Sequence, residues 1–215
     1  MMKTTSGLSA IALLAGLSAC GSLTETANNV VTNEATYDMA GNMASVTPDL
    51  ANPFAQSEGE MDKAMAATVG SNAVDTWTRK MIEHHRGAVA MSRVALAQGV
   101  NGDVAKMAQD TIDMQSKEIA ALEKMVASGA PDAKTADLYR PAAMEMHDEM
   151  MSAKGSDVSE SYLRKMLAHH KGAVAMSDVA LANGANGALR TQIEKTKATQ
   201  QKEIAMVDAM LRGKS

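Results

Sequence analysis

"KMIEHHRGAVAMS", Lys80 to Ser92, returns as "KMLAHHKGAVAMS", Lys165 to Ser177. An offset of 85 aligns the two halves without a gap, and 25 of the 50 residues in Trp77–Val126 are identical to their counterparts in Tyr162–Leu211. The match extends upstream: Gly70-Ser71 pairs with Gly155-Ser156, and Met61 and Met65 pair with Met146 and Met150. The chain is a tandem duplication, so its fold should be two copies of one unit.

Each copy reads as helix. Asn72 and Asp157 stand where an N-cap belongs, with Asp75 and Glu160 three residues on, in the manner of a capping box. A long helix then runs to about Ala97, and to Ala182 in the second copy. "QGVNG" (Gln98–Gly102) and "NGANG" (Asn183–Gly187) supply the turn, with Gly99 and Gly184 suited to the left-handed position after a helix. A second long helix is expected over Asp103–Ala127 and Ala188–Arg212, and a shorter one near Glu58–Val69 and Pro141–Ala153. No strand-like alternation of any length occurs. The expected architecture is all-α: two helical hairpins packed antiparallel as a four-helix core, with extra short helices.

At about 100° per residue, Trp77, Met81, His84, His85, Ala88, Met91 and Ala95 share one side of the first long helix. Arg79, Glu83, Arg86 and Arg93 take the other side. The charged side is the solvated one, so the Met-His-His-Ala-Met stripe turns inward. Buried imidazole needs hydrogen-bond partners or a metal, and burial favours its neutral, ligand form. His84, His85, His169 and His170, with Met81, Met91, Met166 and Met176, therefore bring imidazoles and soft thioethers to one interior, a set that suits Cu(I), with Ag(I) or zinc as alternatives. Methionine at helical spacing is also ordinary core filling, and both readings stand on the sequence. Gly87 and Gly172 cost about 1 kcal/mol each inside a helix, which close helix approach would explain.

Gln115, Glu118, Gln200 and Glu203 recur within "QxKEIA" on the second long helices. They either orient imidazole N–H groups from behind or belong to a solvated face. A further cluster has no twin. Met144, His147 and Met151 lie on one face of "MEMHDEMM", and their first-copy counterparts are Gly59, Asp62 and Ala66. Three soft ligands at that spacing suit Cu(I) or Ag(I). Met146 and Met150 fall on the opposite, core side.

Composition bounds the rest. Aromatic residues are 2% of the chain and methionines number 19, so large rings are not expected to build the core. The first residues, "MMKTTSGLSAIALLAGLSAC", have the layout of a secretory leader: a positive start, an apolar run too short to span a bilayer, then small residues. "LSAC", Leu17 to Cys20, resembles a bacterial lipobox, which makes residues 1–19 a signal peptide and Cys20 the lipidated first residue of the mature chain. Gly21 next to it suits the outer membrane. Cys20 is the only cysteine, so no intrachain disulfide is possible. Residues 20–57 read as a flexible Ser/Thr/Asn/Ala tether, residues 58–130 as the first repeat and 131–215 as the second. Without residues 1–19 the chain has 20 basic against 25 acidic side chains, which argues against a nucleic-acid partner.

At His84-His85…Met91 with Gln115…Glu118-Ile119, and again at His169-His170…Met176 with Gln200…Glu203-Ile204, the sequence resembles the family of domain of unknown function 305 over roughly residues 58–212. The resemblance implies an exported, ferritin-like helical bundle, and some members are similar in binding copper in the periplasm. The expectation is a lipid-anchored, periplasm-facing protein that binds copper for sequestration, resistance or transfer. The metal ion, the membrane (through Cys20) and a copper-efflux or chaperone protein are its expected partners. A non-metal structural or interaction module of the envelope is the alternative. An enzyme is not expected, because a ferritin-like di-iron centre needs Glu-x-x-His motifs and the sequence contains none.

Overall fold

The computed structural model describes residues 52–213. The leader, Cys20 and the tether as far as Ala51 lie outside the described residues. Among the described residues the fold has seven helices and no strand: α1 (Ala55–Ala67), α2 (Ala73–Ala97), α3 (Gly102–Glu123), α4 (Ala133–Asp137), α5 (Arg140–Ser152), α6 (Val158–Ala182) and α7 (Gly187–Arg212). Each copy is a hairpin, α2 with α3 and α6 with α7. The copies meet along α2 and α6, while α1 covers α2 and α5 covers α6.

The local signals act as their chemistry requires. Asn72 Oδ1 accepts from Asp75 N at 3.0 Å, and Asp157 Oδ1 from Glu160 N at 2.7 Å. The returning carboxylates accept from the backbone N of Ser71 and Ser156, one residue before the caps. Gly99 and Gly184 take φ of 80° and 94° after α2 and α6, a backbone that L side chains rarely adopt. Gly87 and Gly172 mark close approach: a Cβ built on them would lie 2.4 Å from the sulfur of Met61 and of Met146 respectively. Those methionines lock α1 onto α2 and α5 onto α6.

Several expectations need correction. The tether does not reach residue 57, because α1 starts at Ala55, with Phe54 fully buried and Glu58 almost so. α3 stops at Glu123 instead of continuing to Ala127. The segment after it is captured by the start of α2: Ala127 N donates to Asp75 Oδ1, and its carbonyl accepts from Arg79. α4 was not foreseen. It is tied to α2 by a Thr76–Thr135 hydroxyl contact of 2.5 Å, and just beyond it Tyr139 OH donates to Ala73 O. Few as they are, the rings do enter the core: Phe54, Trp77, Tyr139 and Tyr162 are all at 0% exposure. Finally, burial on α2 is wider than the stripe. Lys80, at the stripe's edge next to Met91, is buried, and its ammonium caps the carbonyl of Met65 near the end of α1, while Lys165 does the same for Met150 and α5. A cation at a helix C-terminus is favourably placed, and Lys165 also pairs with buried Glu58 at 2.5 Å.

Candidate metal centre

Trp77, Met81, His84, His85, Ala88, Met91 and Ala95 of α2 all have zero exposure, as do Tyr162, Met166, His169, His170, Ala173, Met176 and Ala180 of α6. The two faces meet around a pseudo-two-fold axis. His84 and His169 are counterparts, and their rings stack with centroids 3.5 Å apart and planes 29° from parallel. Nε2 of each lies 3.0 Å from the backbone oxygen of the other. Farther along, Trp77 Nε1 donates to Ser177 Oγ at 3.3 Å, and the symmetry-related pair, Tyr162 OH with Ser92 Oγ, lies at 2.7 Å.

His85 and His170 flank the stack, each with its ring centroid 5.8 Å from the neighbouring histidine. They face the second helix of their own hairpin. Nε2 of His85 is 3.3 Å from Glu118 Oε2. Nδ1 of His170 is 2.6 Å from Gln200 Oε1 and 3.5 Å from Glu203 Oε2. Gln115, Gln200 and Glu203 are buried and Glu118 nearly so, which turns the Gln and Glu of "QxKEIA" towards the histidines, while its Lys and Ala stay exposed. Glu118 also accepts from Thr196 and Gln192 across α7. The sequence reading missed Thr196, although Thr111 and Thr196 are counterparts, retained in both copies.

The protons follow from these partners. A carbonyl oxygen can only accept, so Nε2 of His84 and of His169 carries the hydrogen and the lone pair of each neutral ring sits on Nδ1. Gln200 holds the proton of His170 on Nδ1, and the Glu118 carboxylate lies on the Nε2 side of His85. The opposite nitrogens are His84 Nδ1, His169 Nδ1, His85 Nδ1 and His170 Nε2. All four are buried and have no hydrogen-bond partner. Neutrality is enforced by environment. Burial, then the charges of neighbouring histidines, lowers His84 and His169 well below the ordinary imidazole range. Burial brings His170 to about 4 against the opposing bond to Gln200. Burial works to raise Glu118, but its bonds to His85 and Thr196 and the charge of His85 outweigh it and hold the carboxyl below the usual range. Burial, together with the Glu118 charge, pushes Glu203 up to about 7.

The arrangement offers paired imidazole lone pairs and not a dense acid-histidine cage. Among the described residues, no three His, Cys, Asp or Glu side chains converge in a way that could hold a metal ion. Met144 and Met151 are apart from this interior, on the surface of α5 at 58% and 50% exposure, with half-buried His147 between them. Met146 and Met150 are in the core at 2%.

The family model described as "Domain of unknown function (DUF305)" matches residues 20–126 and again residues 127–211. No curated protein and no solved structure matches the chain. The chain belongs to the DUF305 family, twice over.

Proposed function

We propose that this duplicated chain is an envelope lipoprotein that binds Cu(I) inside a ferritin-like four-helix bundle, for sequestration, resistance or transfer. One observation carries the reading: His84, His169 and His170 each bond an oxygen through one nitrogen and leave the other bare, and His85, its Nε2 3.3 Å from Glu118 Oε2, also has a bare Nδ1. An acceptor behind the opposite nitrogen is the support that ligating histidines use to fix tautomer and direction. Here the backbone carbonyls of His84 and His169, Glu118, and Gln200 with Glu203 would play that part. A bare, buried lone pair costs free energy unless something binds it. Burial keeps His84, His169 and His170 in the form that coordinates.

The thioethers of Met81, Met91, Met166 and Met176, buried on the same two helices as those rings, favour a soft ion, Cu(I) or its analogue Ag(I). Zinc fits less well, since structural zinc takes four ligands of the His, Cys and carboxylate kind and such groups do not converge here. Residues 1–19 and Cys20 would place the bundle at the periplasmic face of the outer membrane. Among the described residues no helix is long and apolar enough to cross a membrane.

A second reading has its own observation. The reciprocal His84–His169 bonds, with the Trp77–Ser177 and Tyr162–Ser92 contacts, zip α2 to α6. A structural or interaction module of the envelope would use them for packing alone. Replacing His84, His85, His169 and His170 with Gln separates the two. On the copper reading, Cu(I) affinity falls by orders of magnitude while helix content changes little. Affinity unchanged by the fourfold replacement would move the site elsewhere, and no copper binding by the parent chain would leave the packing module.

A further inference from the structure

The axis that stacks His84 on His169 also brings a second pair of counterparts together, at the surface. Asp62 of α1 and His147 of α5 occupy the same position in the two copies, and His147 Nδ1 lies 2.6 Å from Asp62 Oδ2. A residue can touch its own counterpart only on the axis. Two histidines or two aspartates there would set like against like. The copies instead diverged to one of each, so the first supplies a carboxylate and the second an imidazole.

We propose that Met144, His147 and Met151 form an exposed, exchangeable site for a soft monovalent cation, Cu(I) or Ag(I), oriented by Asp62 from the other copy. The three donors sit at i, i+3 and i+7 on α5 and therefore share one face. The Asp62 carboxylate takes the Nδ1 hydrogen, so the lone pair of the neutral ring is on Nε2, the arrangement that supports a ligating histidine. The Asp62–His147 pair is part-buried, its side chains 17% and 34% exposed, and it gives no account of two thioethers at 58% and 50% exposure on either side. Methionine is ordinarily a filler of core gaps, and Met146 and Met150 on the same helix do fill the core. Met144 and Met151 bury little, and their first-copy counterparts Gly59 and Ala66 carry no sulfur. Ligands on an exposed helix face exchange readily with a partner's ligands, as acquisition or hand-over requires.

The site does not depend on the buried one, and its test is done with that one disabled. In the chain with His84, His85, His169 and His170 all replaced by Gln, Ag(I) is titrated while the methionine ε-methyl resonances are followed. The first equivalent should shift Met144 and Met151. Met144→Leu with Met151→Leu should weaken Ag(I) binding at least tenfold, His147→Gln similarly, and Asp62→Asn severalfold. The changes at exposed Met144 and Met151 should leave the circular dichroism unaltered. If the fourfold background does not fold, the same leucine pair in the parent chain should remove one fast-exchanging equivalent of Ag(I). Methyls of Met144 and Met151 that stay still while other methionines respond, or a leucine pair that leaves the titration unchanged, overturns the proposal. Failure of the buried site would show differently, as a parent titration indifferent to the four Gln replacements.

Discussion

His170 is held neutral down to about pH 4 because burial removes the water that would solvate its charge. His84 and His169 are lowered further for the same reason. In the unfolded chain all three would protonate near the ordinary value of about 6.5. A depressed folded pKa gives stability that is present above the unfolded value and lost as pH falls towards the folded one. For His170 alone the window from 6.5 to about 4 is worth about 3 kcal/mol. Glu203 acts in the opposite sense: its carboxyl at about 7 costs stability as pH rises from the ordinary range to 7. Three histidines against one glutamate set the net direction. The metal-free protein should lose stability between pH 6.5 and 4 in urea titrations, and the fourfold Gln variant should show a flatter profile. An equally steep loss in that variant would mean that carboxylates, not the imidazoles, govern the acid limb. The sequence placed these rings inside, but it could not assign their protons, because each proton is fixed by an atom 30 or more residues away.

Helix ends were legible because their chemistry is local. Asn72 and Asp157 cap within three residues, and Gly99 and Gly184 turn where only glycine turns cheaply. Contacts at a distance set the exceptions: Asp75 and Arg79 end α3 early, and Thr76 and Tyr139 hold the segment around α4. Lys80 and Lys165, which carry no local signal of a partner, cap the ends of helices packed against their own. The glycines allow a paired test. Gly59 lies in the exposed part of α1 with nothing within 4 Å of a built Cβ. Gly59→Ala should therefore stabilise by about 0.5–1 kcal/mol. Gly87→Ala gains the same helix propensity but drives a methyl onto Met61 Cγ and Cβ at 2.5 and 2.8 Å. Overpacking costs about 1–3 kcal/mol, so this variant should be net destabilised, by up to about 2 kcal/mol. Both shifts can be read from urea midpoints. A Gly87→Ala variant more stable than its parent would show that α1 can retreat from α2 without loss.

At the scale of the molecule, the duplication generates an axis, and chemistry collects on it: His84 with His169 inside, Asp62 with His147 outside. The proposed anchor also belongs to this scale. Cys20→Ser should release the protein from membranes into the soluble periplasmic fraction, because no other cysteine can carry the lipid. Unchanged membrane retention, read by fractionation, would count against the lipobox. The offset of 85, the helical periods, the caps and the buried side of α2 were all determined by the sequence alone, since each depends on neighbours within a few turns. Which face of one copy meets which face of the other is not a local property. Only tertiary packing decided that a position would face its own counterpart, that Glu118 would reach Thr196, and that four imidazoles would each keep one nitrogen bare. Those contacts join residues from 30 to 85 positions apart, and they are set by how two amphipathic hairpins bury their faces together.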